Sequence, residues 1–80
     1  MKARVHVMLK NGVLDPQGKA VQQGLSMLGF TAVNDVRVGR VIEIDLNAAS
    51  AEQAEALATD MAQKMLANPV METFRVEIAP

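Results

Sequence analysis

Residues Thr31–Leu46 read TAVNDVRVGRVIEIDL, and the number of strands in the protein depends on how they are divided. From Val41 onward the alternation is strict. Ile42, Ile44 and Leu46 fall on one side, and Val41, Glu43 and Asp45 on the other, the period of two that marks a strand with one buried face. Residues 31–38 alternate less regularly, and Asn34-Asp35 marks a bulge or kink within them. Gly39-Arg40 reads as a tight turn between two strands, so the whole stretch is expected to be a β-hairpin.

Toward the N-terminus, Lys2–Leu9 alternates cleanly, with Ala3, Val5, Val7 and Leu9 opposed to Lys2, Arg4, His6 and Met8. This is a second amphipathic strand. A long loop follows, LKNGVLDPQG over residues 9–18. Asp15 is placed to cap a helix whose first position is Pro16, where a missing N–H costs nothing. Ala20, Val21, Leu25 and Leu28 recur at helical spacing. Gly24 among them costs about 1 kcal/mol of helix propensity, which points to close packing on a sheet. Gly29 is the expected left-handed residue after the helix.

Toward the C-terminus, Ser50 and Gln53 form a capping-box pair that opens a helix over 51–66. Ala54, Leu57, Ala58, Met61 and Met65 are its expected apolar stripe, and Asn68-Pro69 ends it. Residues 70–78 read as a last strand, with Val70, Phe74, Val76 and Ile78 on one face and Glu72 at the rim of that face. The order is βαββαβ. Right-handed crossovers turn it into an α+β, ferredoxin-like unit over residues 1–80: a four-stranded antiparallel sheet with both helices on one face.

Half of the 80 residues are hydrophobic, so a packed core is expected. A domain this small folds on a thin margin. With no cysteine and one histidine, disulfides and cysteine-based metal sites are excluded, which leaves oligomerisation as the expected support. A net charge of −1 and two phenylalanines as the only aromatics argue against nucleic-acid binding. No apolar run approaches the roughly 20 residues of a membrane span, and a cytoplasmic location is expected. The uncovered sheet face would carry Arg4, His6, Met8, Val41, Glu43, Asp45, Met71, Arg75 and Glu77, a mixture suited to meeting another chain.

No catalytic, metal or cofactor-binding residue is assigned. His6 would need Glu43 or Asp45 across from it, and nothing supplies the burial that separates two carboxylate pKa values. Gly12 and Gly18, next to a helix N-terminus, could cradle a phosphate as the corresponding loop of acylphosphatases does. That loop depends on an arginine, and residues 10–20 contain Lys10 and Lys19 only, with Asp15 to repel an anion. Val13 and Leu14 are apolar residues at the tip of a polar loop. They either tuck under the helix as a staple or protrude into a partner.

LKNGVLDPQGKAV (Leu9–Val21), Leu28-Gly29, DVRVGR (Asp35–Arg40) and KMLANPVME (Lys64–Glu72) together resemble the PurS family, the small subunit of phosphoribosylformylglycinamidine (FGAM) synthase. The resemblance runs over essentially the whole chain. Asn11 stands where proline is common, Arg40 where lysine is, Phe74 where tyrosine is, and Ala62 where cysteine often occurs. The resemblance implies a three-protein complex of de novo purine biosynthesis. A glutaminase subunit frees ammonia, and a synthetase large subunit uses ATP and Mg to activate the formamide oxygen. The small subunit, a homodimer or tetramer, bridges them and assists ammonia transfer without catalytic residues or cofactors of its own. On this reading Gly12, Val13, Leu14, Asp15, Pro16, Gln17, Gly18, Arg37, Arg40, Asn68 and Pro69 are the candidate partner contacts. The alternative is a free-standing ferredoxin-like module that binds a regulatory metabolite.

Overall fold

The computed structural model describes residues 1–79; Pro80, the last residue of the expected 1–80 unit, lies outside the described residues. The elements are β1 (Lys2–Leu9), α1 (Pro16–Met27), β2 (Arg40–Asp45), α2 (Ala51–Met61) with a π-helical turn at Ala62–Leu66, and β3 (Glu72–Ala79). The fold is α+β. Its sheet is antiparallel with three strands in the order β2-β1-β3. Val5 at the centre of β1 faces Ile42 on one side and Val76 on the other.

The alternation of β1 determines which face is buried: Ala3, Val5 and Val7 are closed off from solvent. Against them α2 sets Ala54, Ala58 and, in the π turn, Ala62, all fully buried. Residues four apart lie on one face of a helix, and three alanines let it approach the sheet closely. The stripe is therefore rotated from the expected one. Leu57 and Met61 lie at its flank and Met65 is 86% exposed. Ser50 Oγ accepts from the Gln53 N–H at 3.1 Å, as a capping box requires. The Gln53 side chain reaches back one residue further than usual and accepts from the Ala49 N–H at 2.6 Å.

The expected strand over 31–38 is not part of the sheet. The backbone from Val33 to Gly39 forms no strand and pairs with none, and it runs on into β2 at Arg40. Gly39 does not have the positive φ that a primed hairpin turn demands. It is there because a Cβ would fall 2.5 Å from the Val7 carbonyl oxygen and 2.1 Å from the Met8 sulfur. A glycine that reads as a turn is thus a close approach between strands.

Without that hairpin α1 is not drawn back over the sheet. It lies beside residues 30–38 as an arm, and it packs on the sheet far less than α2 does. Gly24, expected to press on the sheet, has nothing within 4 Å of its would-be Cβ. The radius of gyration is 15.9 Å and the extents are 50 × 27 × 14 Å, against about 12 Å for a compact chain of this length.

Candidate functional site

β1 ends where β2 and β3 begin, so one end of the sheet collects Leu9, Arg40 and Glu72, and the long loop leaves from it. Every residue expected to meet a partner lies at this end or at the base of the arm. They form two clusters.

The first cluster ties the loop to the returning segment. Asp15 caps α1 through Oδ1, which accepts from the Gly18 N–H at 2.8 Å. Its Oδ2 accepts from the Val38 N–H at 2.9 Å. These two N–H groups, Val38 first, hold the Asp15 carboxyl below its usual value, and the nearby Arg37 charge adds to them. Gly18 is required, because a Cβ there would lie 2.2 Å from the Val36 carbonyl oxygen. Arg37 donates to Asn11 Oδ1 at 2.7 Å, to the Lys10 carbonyl at 3.1 Å and to the Leu9 carbonyl. Gly12, Val13, Leu14, Lys19 and Asp35 complete the walls of a shallow cleft of about 190 Å³. Leu14 is 88% exposed, so it does not staple the helix, while Val13 is half-buried. Pro16 and Gln17 are exposed on the first turn.

The second cluster is the Asn68-Pro69 corner. Arg40 grips Glu72 with two hydrogen bonds of 2.6 and 3.1 Å and donates also to the Leu66 carbonyl at 2.6 Å. Glu72 in turn accepts from the Asn68 N–H at 2.8 Å. Arg40 first, and the Asn68 N–H second, hold the Glu72 carboxyl below its usual value. The corner itself is an Asx turn, with Asn68 Oδ1 accepting from the Val70 N–H at 3.0 Å. Lys10 Nζ donates to the Pro69 carbonyl at 2.8 Å and joins the corner to the loop.

Glu72 and Lys10 were not among the expected contacts, though a signal for Glu72 was present. It is the one charge on the apolar face of β3, and Arg40 has the same parity on β2. A carboxylate and a guanidinium on one apolar face call for each other.

The arginine missing from the loop is supplied from elsewhere in the chain by Arg37. Its guanidinium is already engaged by three loop acceptors and flanked by Asp15 and Asp35. The phosphate-cradle reading gains nothing from it. His6 lies on the opposite sheet face between Val41 and Arg75, not beside Glu43 or Asp45. Its Nε2 is 3.8 Å from Glu77, and Glu43 is engaged by Lys2 at 3.2 Å. Among the described residues no three His, Cys, Asp or Glu side chains are grouped to hold a metal ion, and no helix is long and apolar enough to cross a membrane.

Residues 2–80 match the family model PurS, described as phosphoribosylformylglycinamidine (FGAM) synthase. Subunit PurS of phosphoribosylformylglycinamidine synthase from Archaeoglobus fulgidus is 42% identical over 76 residues, 95% of each chain. A crystal form of Bacillus subtilis PurS superposes with a TM-score of 0.85 at 40% identity, covering 99% of this chain and 98% of that one. A chain in the solved PurLQS from Thermotoga maritima superposes with a TM-score of 0.86 at 26% identity, covering 95% and 93%. The two solved structures superpose on the chain with its arm included. By sequence and by fold, the chain belongs to the PurS family.

Proposed function

We propose that this chain is the non-catalytic small subunit of a phosphoribosylformylglycinamidine synthase of de novo purine biosynthesis. It bridges the synthetase and glutaminase subunits and assists the passage of ammonia between them. The overall reaction takes formylglycinamide ribonucleotide, ATP and glutamine to the amidine, ADP, phosphate and glutamate. ATP and Mg are handled by the synthetase, and this chain contributes surfaces. It works as one unit over residues 1–80, in the cytoplasm, and associates with itself as a homodimer or tetramer.

The observation that carries this reading is the clustering at one end of the sheet. The GVLDPQG loop, Arg37, Arg40 and the Asn68-Pro69 corner are each held by backbone or side-chain hydrogen bonds, so docking them costs little ordering entropy. Held rigidly, they form contact surfaces for the two enzymes.

Amidine formation by purified synthetase and glutaminase, with and without this chain, tests the proposal. Glutamine and ammonium chloride are compared as nitrogen donors. Dependence on the chain with glutamine alone is the expected result and marks a coupler of two active sites. Dependence with ammonia too would make it a support of the synthetase. Dependence with neither would overturn the reading and favour the metabolite-binding module.

Residue roles at the loop are tested by replacing Val13 and Leu14 with serine. We expect weaker assembly with the two enzymes and an isolated subunit that stays folded with at most a small fall in melting temperature, since Leu14 is 88% exposed and Val13 is only half-buried. Equal loss of folding would return both residues to a structural role.

A further inference from the structure

We infer that Arg40 and Glu72 are positioning residues for docking on the enzyme partners: they hold the corner at residues 68–71 in a shape that presents Val70 as an apolar anchor. This role rests on the subunit function proposed above. It names the side chain that meets a partner and the pair that places it.

Stability explains the ion pair poorly. Arg40 is registered with Val7 and Glu72 with Leu9, so both stand on the apolar face of the sheet. The Glu72 side chain is only 14% exposed. Charges brought that far out of water recover little more than their desolvation cost, and apolar residues of similar size hold such a place as well or better. What a charge pair supplies instead is a fixed arrangement of donors and acceptors.

That arrangement converges on a segment outside the core. Asn68, Pro69, Val70 and Met71 are all exposed. Before the corner, Arg40 Nη2 donates to the Leu66 carbonyl at 2.6 Å. After it, Glu72 Oε1 accepts from the Asn68 N–H at 2.8 Å, and the Glu72 N–H returns to the Asn68 carbonyl at 2.7 Å. The Met71 carbonyl accepts from the Lys10 N–H at 2.8 Å. An exposed corner adds nothing to the core, so its rigidity serves contact outside the chain, where a preformed shape lowers the ordering cost of docking. Val70, within it, is 79% exposed.

The helix before the corner is shaped to the same end. The buried face of α2 steps by four from Ala54 to Ala58 to Ala62, then by five to Ala67. The π turn supplies the extra residue, with the Ala67 N–H donating to the Ala62 carbonyl at 3.0 Å. A regular helix would put Leu66 where Ala67 lies. With the small residue there, the helix ends close to the sheet and within reach of Arg40. Lys10 extends the same frame to the loop: its Nζ holds the Pro69 carbonyl, and its own carbonyl accepts from the Val13 N–H at 3.2 Å. Leu14, next in the chain, is thus a second exposed apolar side chain on the same rigid end of the sheet. A few such anchors carry most of the binding energy of an interface.

Titration of the chain into fixed synthetase and glutaminase, with glutamine as donor, gives the concentration for half-maximal amidine formation. Arg40→Met with Glu72→Leu exchanges the pair for apolar side chains. We expect that concentration to rise at least about tenfold, as for loss of an interface anchor. The melting temperature should stay within about 5 °C of the unsubstituted chain. Arg40→Lys, whose ammonium has donors for both Glu72 and the Leu66 carbonyl, should titrate close to the unsubstituted chain. Val70→Ser leaves the pair intact and should raise the half-maximal concentration with the melting temperature unchanged.

A double variant that titrates like the unsubstituted chain, or that is weakened only by unfolding, would make the pair structural and overturn the inference. So would an unchanged titration of Val70→Ser, an exposed substitution that leaves the core intact. A loss in Arg40→Lys as large as in the double variant would mean that the guanidinium itself touches the partner, and would overturn the positioning role. If glutamine-driven amidine formation does not depend on the unsubstituted chain, the subunit function falls and this role with it.

Discussion

Asp15 uses both carboxylate oxygens, one for the start of α1 and one for the segment that returns beside it. A carboxylate accepts at each oxygen, whereas an amide accepts at only one. In Asp15→Asn the cap on Gly18 is retained and the tie to Val38 is lost. We expect the Val38 amide to exchange with solvent at least about tenfold faster while amides of β1 are unchanged, a local opening of the kind hydrogen exchange resolves. Acid does the same to the unsubstituted protein. The Asp15 and Glu72 carboxyls are both held below their usual values when folded. The stability they give is therefore complete above the unfolded values, near 4 for such groups, and is lost as pH falls through the folded ones. The Gly18, Val38 and Asn68 amide resonances should shift together in that window. Resonances that stay fixed down to the pH of global unfolding would show that neither carboxylate holds the end of the sheet.

At the scale of the element, local chemistry was legible and partnership was not. β1, both N-caps, the left-handed Gly29 at φ +95° and the Asn68-Pro69 stop follow from residues within a few positions of one another. The strand over 31–38 fails for a different reason. Alternating valines report that a segment favours extended backbone, not that an edge lies beside it in the same chain. The bonds that Arg37 makes to Asn11 and to the end of β1 were hard to read because those partners lie 26 and 28 residues away. Gly18 shows how structure reverses an expectation drawn from the element alone. Inside α1, Gly18→Ala gains about 1 kcal/mol by helix propensity. Its methyl group would sit 2.2 Å from the Val36 carbonyl oxygen, which is backbone and has little room to move. We expect the sign to be negative: a lower melting temperature and weaker binding to the enzyme partners. A higher melting temperature would mean that residues 30–38 do not lie against the helix.

For the whole molecule the question is what a core this small can support. Among the described residues only Val5 and Val7 are large side chains buried completely, and thirteen large hydrophobic residues remain exposed. Each full burial contributes about 1.5–3 kcal/mol; Ile42, Ile44, Phe74, Val76 and Ile78 add partial burial, and the thirteen exposed residues add little unless they meet another chain. If the chain folds only as it associates with itself, folding and association are a single equilibrium, and apparent stability depends on protomer concentration. For a dimer that unfolds to two chains, a tenfold rise in concentration adds about 1.4 kcal/mol at 25 °C. With about 2.1 cal/mol/K of unfolding entropy per residue over both chains, that raises the melting temperature by about 4 °C per decade. We expect this slope for the isolated subunit between low micromolar and millimolar chain, measured by circular dichroism at α-helical wavelengths. Met27→Ser with Leu28→Ser should flatten the slope and lower the melting temperature, because it removes the apolar surface of the arm. A melting temperature independent of concentration, with cooperative unfolding throughout, would mean that the sheet and α2 are self-sufficient.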